Sequence, residues 1–329
     1  MRSNNAKFQC IKGRAGHHIC MSLVNPHNVE SYLSSLAPVN SAQNQDIIKM
    51  LTEQKIEGFV RYWSIKMAIS CIDLTSLEFS DTQEKINLMY LKALNPNNND
   101  AKSPSVAALC IYPEFIPGLK KYQSADSPVK IATVAGGFPH GNADSSSKIA
   151  EVGSALAQGA DEIDFVLNRA LFLAGNYADV FSEVEAVKKL TLAKDAKLKV
   201  IIETGELGSE DNIKKAATLV LHAGADFVKT STGKSKVSAT YNSSLLLMQS
   251  VFEYYNETGI KKGIKPSGGF RSTDQALFTI SLLKHTLGNS WLNPELFRFG
   301  ASGLLDQLVN DNNSEIDTHN NESPTNTSY

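Results

Sequence analysis

Eight short apolar runs recur along the chain, about 25–40 residues apart, with amphipathic helical stretches between them. The runs cover residues 66–74, 106–111, 130–136, 162–167, 198–202, 227–229, 263–265 and 297–299. The clearest helical stretches are 146–157, 177–192, 209–222, 243–255 and 273–287. Runs this short, rich in β-branched residues and split by helices, read as strands buried on both faces. Alternating strand and helix demands a parallel sheet, and eight repeats are the number that closes one into a (β/α)₈ TIM barrel. A local echo supports the repeat. Gly159-Ala160-Asp161 and Gly224-Ala225-Asp226 each place a glycine cap between a helix end and a strand.

The flanks read differently. Residues 1–64 form an N-terminal extension, partly helical, with weak helical potential near 28–36. Apolar positions Ile47, Ile48, Leu51, Ile56, Phe59, Val60 and Trp63 suggest one or two amphipathic helices. Trp63 and Trp291 are expected to be packing residues. The barrel is expected over 65–310. From Asp311 onward Asn, Asp, Ser and Thr dominate, so 311–329 reads as a flexible, disordered polar tail ending in Tyr329.

Composition removes several functions. A formal charge of −2 over 329 residues gives no pull toward nucleic acid or an anionic membrane. No stretch nears the roughly 18 apolar residues of a membrane span. The first twelve residues carry no apolar core of a secretory signal. Cys10, Cys20, Cys71 and Cys110 are too scattered for a disulfide framework, so a cytoplasmic protein is expected. The group Cys10, His17, His18 and Cys20 lacks paired CxxC spacing and reads poorly as a zinc site.

The strand ends carry the chemistry. In a barrel of this kind, reactive groups gather at the C-terminal rim. Here that rim collects Asp73, Thr75, Cys110, Asp164, Glu203, Lys229 and Lys265. A free lysine has a pKa near 10.4, so about one in a thousand or fewer is neutral at pH 7. Only the neutral amine attacks a carbonyl. An apolar setting and a second ammonium both lower that pKa, so two strand-end lysines suggest a Schiff-base nucleophile. Asp164 could then relay protons. Thr232-Gly233-Lys234, Ser267-Gly268-Gly269 and Gly300-Ala301-Ser302 follow strands six to eight. Glycine lets backbone N–H groups approach an anion there, and Lys234 and Arg271 could add charge, so a phosphorylated substrate is expected. Cys110 reads as a small residue that could face the pocket. Glu203 reads as structural rather than as a Mg²⁺ ligand. His140 is a loop histidine that could take a polar role on the rim.

The runs Ile72-Asp73-Leu74-Thr75-Ser76-Leu77, Leu109-Cys110-Ile111-Tyr112-Pro113, Gly137-Phe138-Pro139-His140-Gly141, Gly159 to Asp164, Ile202 to Leu207, Phe227 to Lys234, Lys265 to Arg271 and Phe297 to Ser302 appear in order. With them the chain resembles the deoxyribose-phosphate aldolases, and is closer to the longer animal subfamily than to the short bacterial form. The resemblance implies a class I aldolase without cofactor or metal. Such an enzyme reversibly cleaves 2-deoxy-D-ribose 5-phosphate to acetaldehyde and D-glyceraldehyde 3-phosphate in deoxyribonucleoside catabolism. By the same match Lys229 is the Schiff-base lysine, Lys265 lowers its pKa and Asp164 relays protons. Asp73 and Thr75 orient the lysines and a substrate hydroxyl. Thr232, Gly233, Lys234, Gly268, Gly269 and Ser302 line the phosphate pocket. A terminal tyrosine in the family can enter the site, so Tyr329 is expected to assist proton transfer. Gly303 departs from the family's serine or threonine, which removes one phosphate hydroxyl. Barrels of this family are often homodimers. Two other readings stay open: a transaldolase-like Schiff-base barrel for another sugar phosphate, and a non-catalytic barrel that only binds phosphorylated ligand.

Overall fold

The computed structural model describes the backbone of residues 9–12, 18–21 and 24–321 and the side chains of residues 24–315. Two strands, β1 (Gln9–Lys12) and β2 (His18–Met21), pair antiparallel ahead of the main body. The apolar runs become eight parallel strands: β3 (Ile72–Thr75), β4 (Ala108–Ile111), β5 (Lys130–Ala135), β6 (Glu162–Val166), β7 (Lys197–Ile201), β8 (Phe227–Lys229), β9 (Gly263–Lys265) and β10 (Phe299–Ala301). They follow one another in the sheet, with β10 beside β3. The free edges of β9 and β10 meet through parallel bridges Ile264–Phe297 and Ser267–Gly300. Arg298 N–H donates to Ile264 O at 3.0 Å, and Gly300 N–H to Pro266 O at 2.9 Å. The ring is closed, and the chain folds as a TIM barrel.

The helices on its outside start where their sequence lets them. Asp144 caps Ser145–Ala157 by accepting from Ser147 N–H, and Ser209 caps Glu210–His222 through Asn212 N–H. Reciprocal capping boxes open Tyr241–Thr258 (Thr240 with Ser243) and Thr273–Leu287 (Ser272 with Gln275). The repeated Gly-Ala-Asp does more than turn the chain. Gly159 and Gly224 adopt φ of +102° and +106°, which few other residues tolerate. Each following aspartate then accepts a backbone N–H near the start of the neighbouring strand: Asp161 from Ile131 at 2.7 Å, Asp226 from Leu198 at 2.8 Å. Lys120 and Lys188 balance the two carboxylates.

The flanks depart from the sequence reading. The apolar stretch 66–74 holds two elements, because the helix Gly58–Ser70 runs through the expected boundary at 64/65 and β3 begins only at Ile72. That helix buries Ile65, Ala68 and Ile69 against the barrel. Its other face leaves Phe59, Val60 and Trp63 exposed, so Trp63, half in solvent, is not the interior packing residue expected; Trp291 is buried. The helix Val29–Ser34 docks through buried Val29 and Leu33, and Tyr32 donates to Glu257 at 2.6 Å.

At the other end the helix Leu304–Asn321 continues past Asp311, where a free tail was expected. Polarity misled the reading, since here polar side chains do the docking. Arg61 pairs with Asp311 and Glu315, Asn97 donates to Asn313 at 2.8 Å, and Asn312 is fully buried beside Asp100. Ending the chain after Asn310 should therefore lower its thermal midpoint by about 4 °C or more. An unchanged melting curve would restore the free-tail reading.

Candidate active site

Residues two apart on a strand share a face, so each barrel strand sends alternate side chains inward. Here the inward positions carry charge. Lys229 of β8 and Lys265 of β9 are register partners, as are Asp164 of β6 and Lys199 of β7. Asp164 sits between them: Oδ2 is 2.7 Å from both the Lys229 and Lys265 Nζ atoms, and Oδ1 is 3.0 Å from Lys199 Nζ. Asp73 of β3 faces Lys265 at 2.5 Å and Lys199 at 3.3 Å through Oδ2. Its Oδ1 accepts from Arg298 at 2.6 Å. Arg298 forks onto Glu162 as well, at 2.7 and 3.1 Å, and Lys199 also pairs with Glu162.

All seven groups are buried, none more than 3% exposed. Four are basic and three acidic, so full ionisation would leave one unpaired positive charge in the interior. An uncompensated buried charge is costly, and one lysine is pressed to give up its proton. Lys229 is that lysine. Burial and the adjacent Lys265 lower its pKa, and Asp164 offsets this only in part. Burial also opposes the charges on Lys265 and Lys199, but there the carboxylates win and both pKa values rise. Burial would likewise protonate Asp164, yet Lys199, Lys229 and Lys265 hold it well below the usual carboxylate range. The site thus holds a lysine inclined to neutrality beside a carboxylate held ionised, the pairing that nucleophilic attack on a carbonyl needs.

Cys110 lies at the edge of this cluster, Sγ 4.0 Å from Asp164 Oδ2, and burial raises its thiol pKa. Thr75 spends its hydroxyl on Asp73 O at 2.8 Å. The glycine-bearing loops converge next to the lysines. A Cβ on Gly300 would come within 2.3 Å of Ser267 Oγ and 3.1 Å of Lys265 Cε. One on Gly269, whose φ is +83°, would strike Ala239 O at 2.4 Å. Gly268 packs against Ser238 and Gly233.

Glu203, in a left-handed conformation at φ +53°, organises the loop after β8. It accepts from the Thr232 hydroxyl at 2.6 Å and the Ser235 hydroxyl at 2.8 Å. Thr232 Oγ1 in turn accepts from Lys234 N–H at 3.1 Å. Ser302 is exposed and shares a cavity of about 270 Å³ with Thr75, Ser76 and Glu78.

Arg271 stands apart. It is exposed, and its N–H caps the next helix through Gln275. His140 is exposed too. Tyr329 lies outside the described residues. Sequence reading passed over Lys199, Glu162 and Arg298. Lys199 and Arg298 each interrupt an apolar run and Glu162 opens one, but only the register shows that all three face the interior. Among the described residues no group of three or more His, Cys, Asp or Glu could hold a metal ion, and no helix is long and apolar enough to cross a membrane.

A TIM barrel that buries a lysine inclined to neutrality beside ionised carboxylates has the charge pattern of an enzyme that acts on carbonyl compounds. The model of the DeoC/LacD family aldolases matches residues 67–288, and the chain belongs to that family: it is an aldolase. It is 38% identical over 252 residues to the deoxyribose-phosphate aldolase of Bos taurus, covering 74% of this chain and 78% of that one. Against the enzyme of the same name from Homo sapiens the figures are 38% over 255 residues, 75% and 79%. The solved deoxyribose phosphate aldolase of Aeropyrum pernix, a tetramer, superposes with a TM-score of 0.60 at 24% identity, over 84% of this chain and 99% of that one; at that identity the likeness is one of fold.

Truncating Arg298 to Met leaves Asp73 and Glu162 short of a cation. It should destabilise the fold by about 3–5 kcal/mol. Adding Glu162→Gln to that variant should recover part of the loss. Urea midpoints for the two single variants and the double variant measure this coupling, and strictly additive losses would show that the fork onto Glu162 is not the interaction that matters.

Proposed function

We propose that this aldolase reversibly cleaves 2-deoxy-D-ribose 5-phosphate to acetaldehyde and D-glyceraldehyde 3-phosphate through a Schiff base on Lys229. The observation that carries the reading is Lys229 itself. Of the three lysines buried at the centre of the barrel it alone has a lowered pKa, and it lies 2.7 Å from an ionised carboxylate. The similarity to the animal deoxyribose-phosphate aldolases supports the substrate.

In this reading neutral Lys229 attacks C1 of the open-chain sugar to give a carbinolamine. Asp164 passes protons as water leaves and an iminium forms. Loss of the C3 hydroxyl proton breaks the C2–C3 bond, and the electron pair moves into the iminium to give an enamine. D-Glyceraldehyde 3-phosphate departs. Protonation of the enamine carbon and hydrolysis release acetaldehyde and the free lysine. Lys265 keeps its proton throughout and favours the neutral amine on Lys229. Asp73 holds Lys265 in place, while Thr75 and Cys110 line the approach.

The loops after β8, β9 and β10 would take the phosphate through Thr232, Gly233, Lys234, Gly268, Gly269 and Ser302. The exposure of Arg271 gives it at most a long-range electrostatic part. Tyr329 is proposed to assist protonation at the nucleophilic carbon.

Borohydride reduction in the presence of 2-deoxyribose 5-phosphate should leave one adduct, on the peptide that carries Lys229, and Lys229→Leu should abolish it. An adduct on Lys199 or Lys265 instead would refute the assignment. The pH profile gives a second check. The amine is active when neutral, so kcat/KM should fall as pH drops through the lowered pKa of Lys229. Lys265→Met removes the neighbouring cation, so the Lys229 pKa should climb and this acid limb should move to higher pH. Lost activity with an unmoved limb would assign Lys265 a different role.

A further inference from the structure

The loop that follows β3 carries a charge the reaction does not use. Glu78 Oε1 lies 3.1 Å from the Lys234 ammonium, in the loop after β8. On the ring the two loops are separated by β9 and β10, the strands that lead to Lys265 and Ser302. The turn under Glu78 is fixed. Asp81 accepts from the Ser76 hydroxyl at 2.7 Å and from Glu78 N–H at 3.0 Å, and it pairs with Lys85. The Lys234 backbone is fixed as well, through Thr232 and Glu203. Two anchored loops therefore meet at one carboxylate–ammonium contact.

Glu78 also borders the cavity that holds Thr75 and Ser302. The cavity's other walls include Lys85, Met89 and Lys92 of the helix Gln83–Leu94, so it is the contact with Lys234 that would set Glu78 beside the anionic end of a substrate. A phosphate dianion and a carboxylate are both oxygen anions that seek the same ammonium.

We propose that Glu78 is a specificity-determining residue that occupies Lys234 in the empty site and must be displaced by the substrate's phosphate. This rests on the phosphate role given to Lys234 in the proposed function. The pair is exposed enough to exchange, with side chains 62% and 32% accessible. Contacts of this kind are weak and easily broken. Displacement therefore raises the threshold for phosphate without blocking it. A sugar that lacks phosphate leaves the pair closed, so the competition acts only on ligands with an anionic end.

The test is a double-mutant cycle of Glu78→Gln and Lys234→Met. The readouts are phosphorus NMR titration of inorganic phosphate and the ratio of kcat/KM for 2-deoxyribose 5-phosphate over 2-deoxyribose. Glu78→Gln should tighten phosphate binding and raise that ratio by about two- to fivefold. In the Lys234→Met background the same substitution should change neither. No gain from Glu78→Gln, or a gain that persists without Lys234, overturns the proposal. Absence of phosphate binding to the wild-type protein, with Lys229 still trapped by borohydride, would remove the phosphate role of Lys234 and this proposal with it, yet leave the aldolase reading intact.

Discussion

Asp164 is the constraint around which the barrel interior is arranged. One carboxylate receives three lysines, two of them on the same oxygen. It can do so only because the other cations and anions close the balance behind it. Asp73 and Glu162 are held by Arg298, and Lys199 bridges Asp73, Glu162 and Asp164. Buried ions paired in this way are weak evidence of stability, since desolvation can exceed the attraction gained. In the proposed reaction their value would lie in electrostatic preorganisation: the charges are in place before a carbonyl arrives and need no solvent to rearrange.

Register supplies the geometry. Strands β8, β9 and β10 have three residues each, against six in β5. On the short side the chain leaves the ladder almost at once. Lys229 and Lys265 are the last ladder residues before the loops, paired across the ladder to each other, and Lys229 is also paired to Ile201 of β7. A lysine has a flexible stem, and a backbone held by neighbours on both sides fixes where that stem begins. The glycines that follow let the next loops pack against one another at backbone distance, which a side chain at Gly269 or Gly300 would prevent.

The barrel could be read from sequence because its signal repeats. The five clearest helical stretches fall within two or three residues of the observed helices, and four of the five starts carry a side-chain cap that a sequence displays. Lys229 and Lys265 were legible because ionisable groups at strand ends stand out; Asp164, expected at a strand end, lies mid-strand in β6 and was legible only beside them in the family's motifs. Lys199, Glu162 and Arg298 were not, because a charge within a strand is indistinguishable from an outward one until the register is known. The helix 58–70 ran into β3 in the reading because both are apolar and only Cys71 divides them. The last helix was hidden for the opposite reason. It docks partly through Asn312, Asn313 and acidic partners of Arg61, and apolar periodicity says nothing of such contacts.

The carboxylate of Glu203 stands at the end of β7 yet shapes the loop after β8, taking Thr232 and Ser235 together. Two consecutive loops are thereby riveted into one piece. Such a piece is inherited or lost as a whole: a change at Thr232 that suits a new ligand would take a hydroxyl donor from a buried acid, and a change at Glu203 would loosen residues thirty positions away. Variation in this part of the rim should therefore be found in blocks rather than residue by residue, and a redesign of the pocket would have to transplant both loops together.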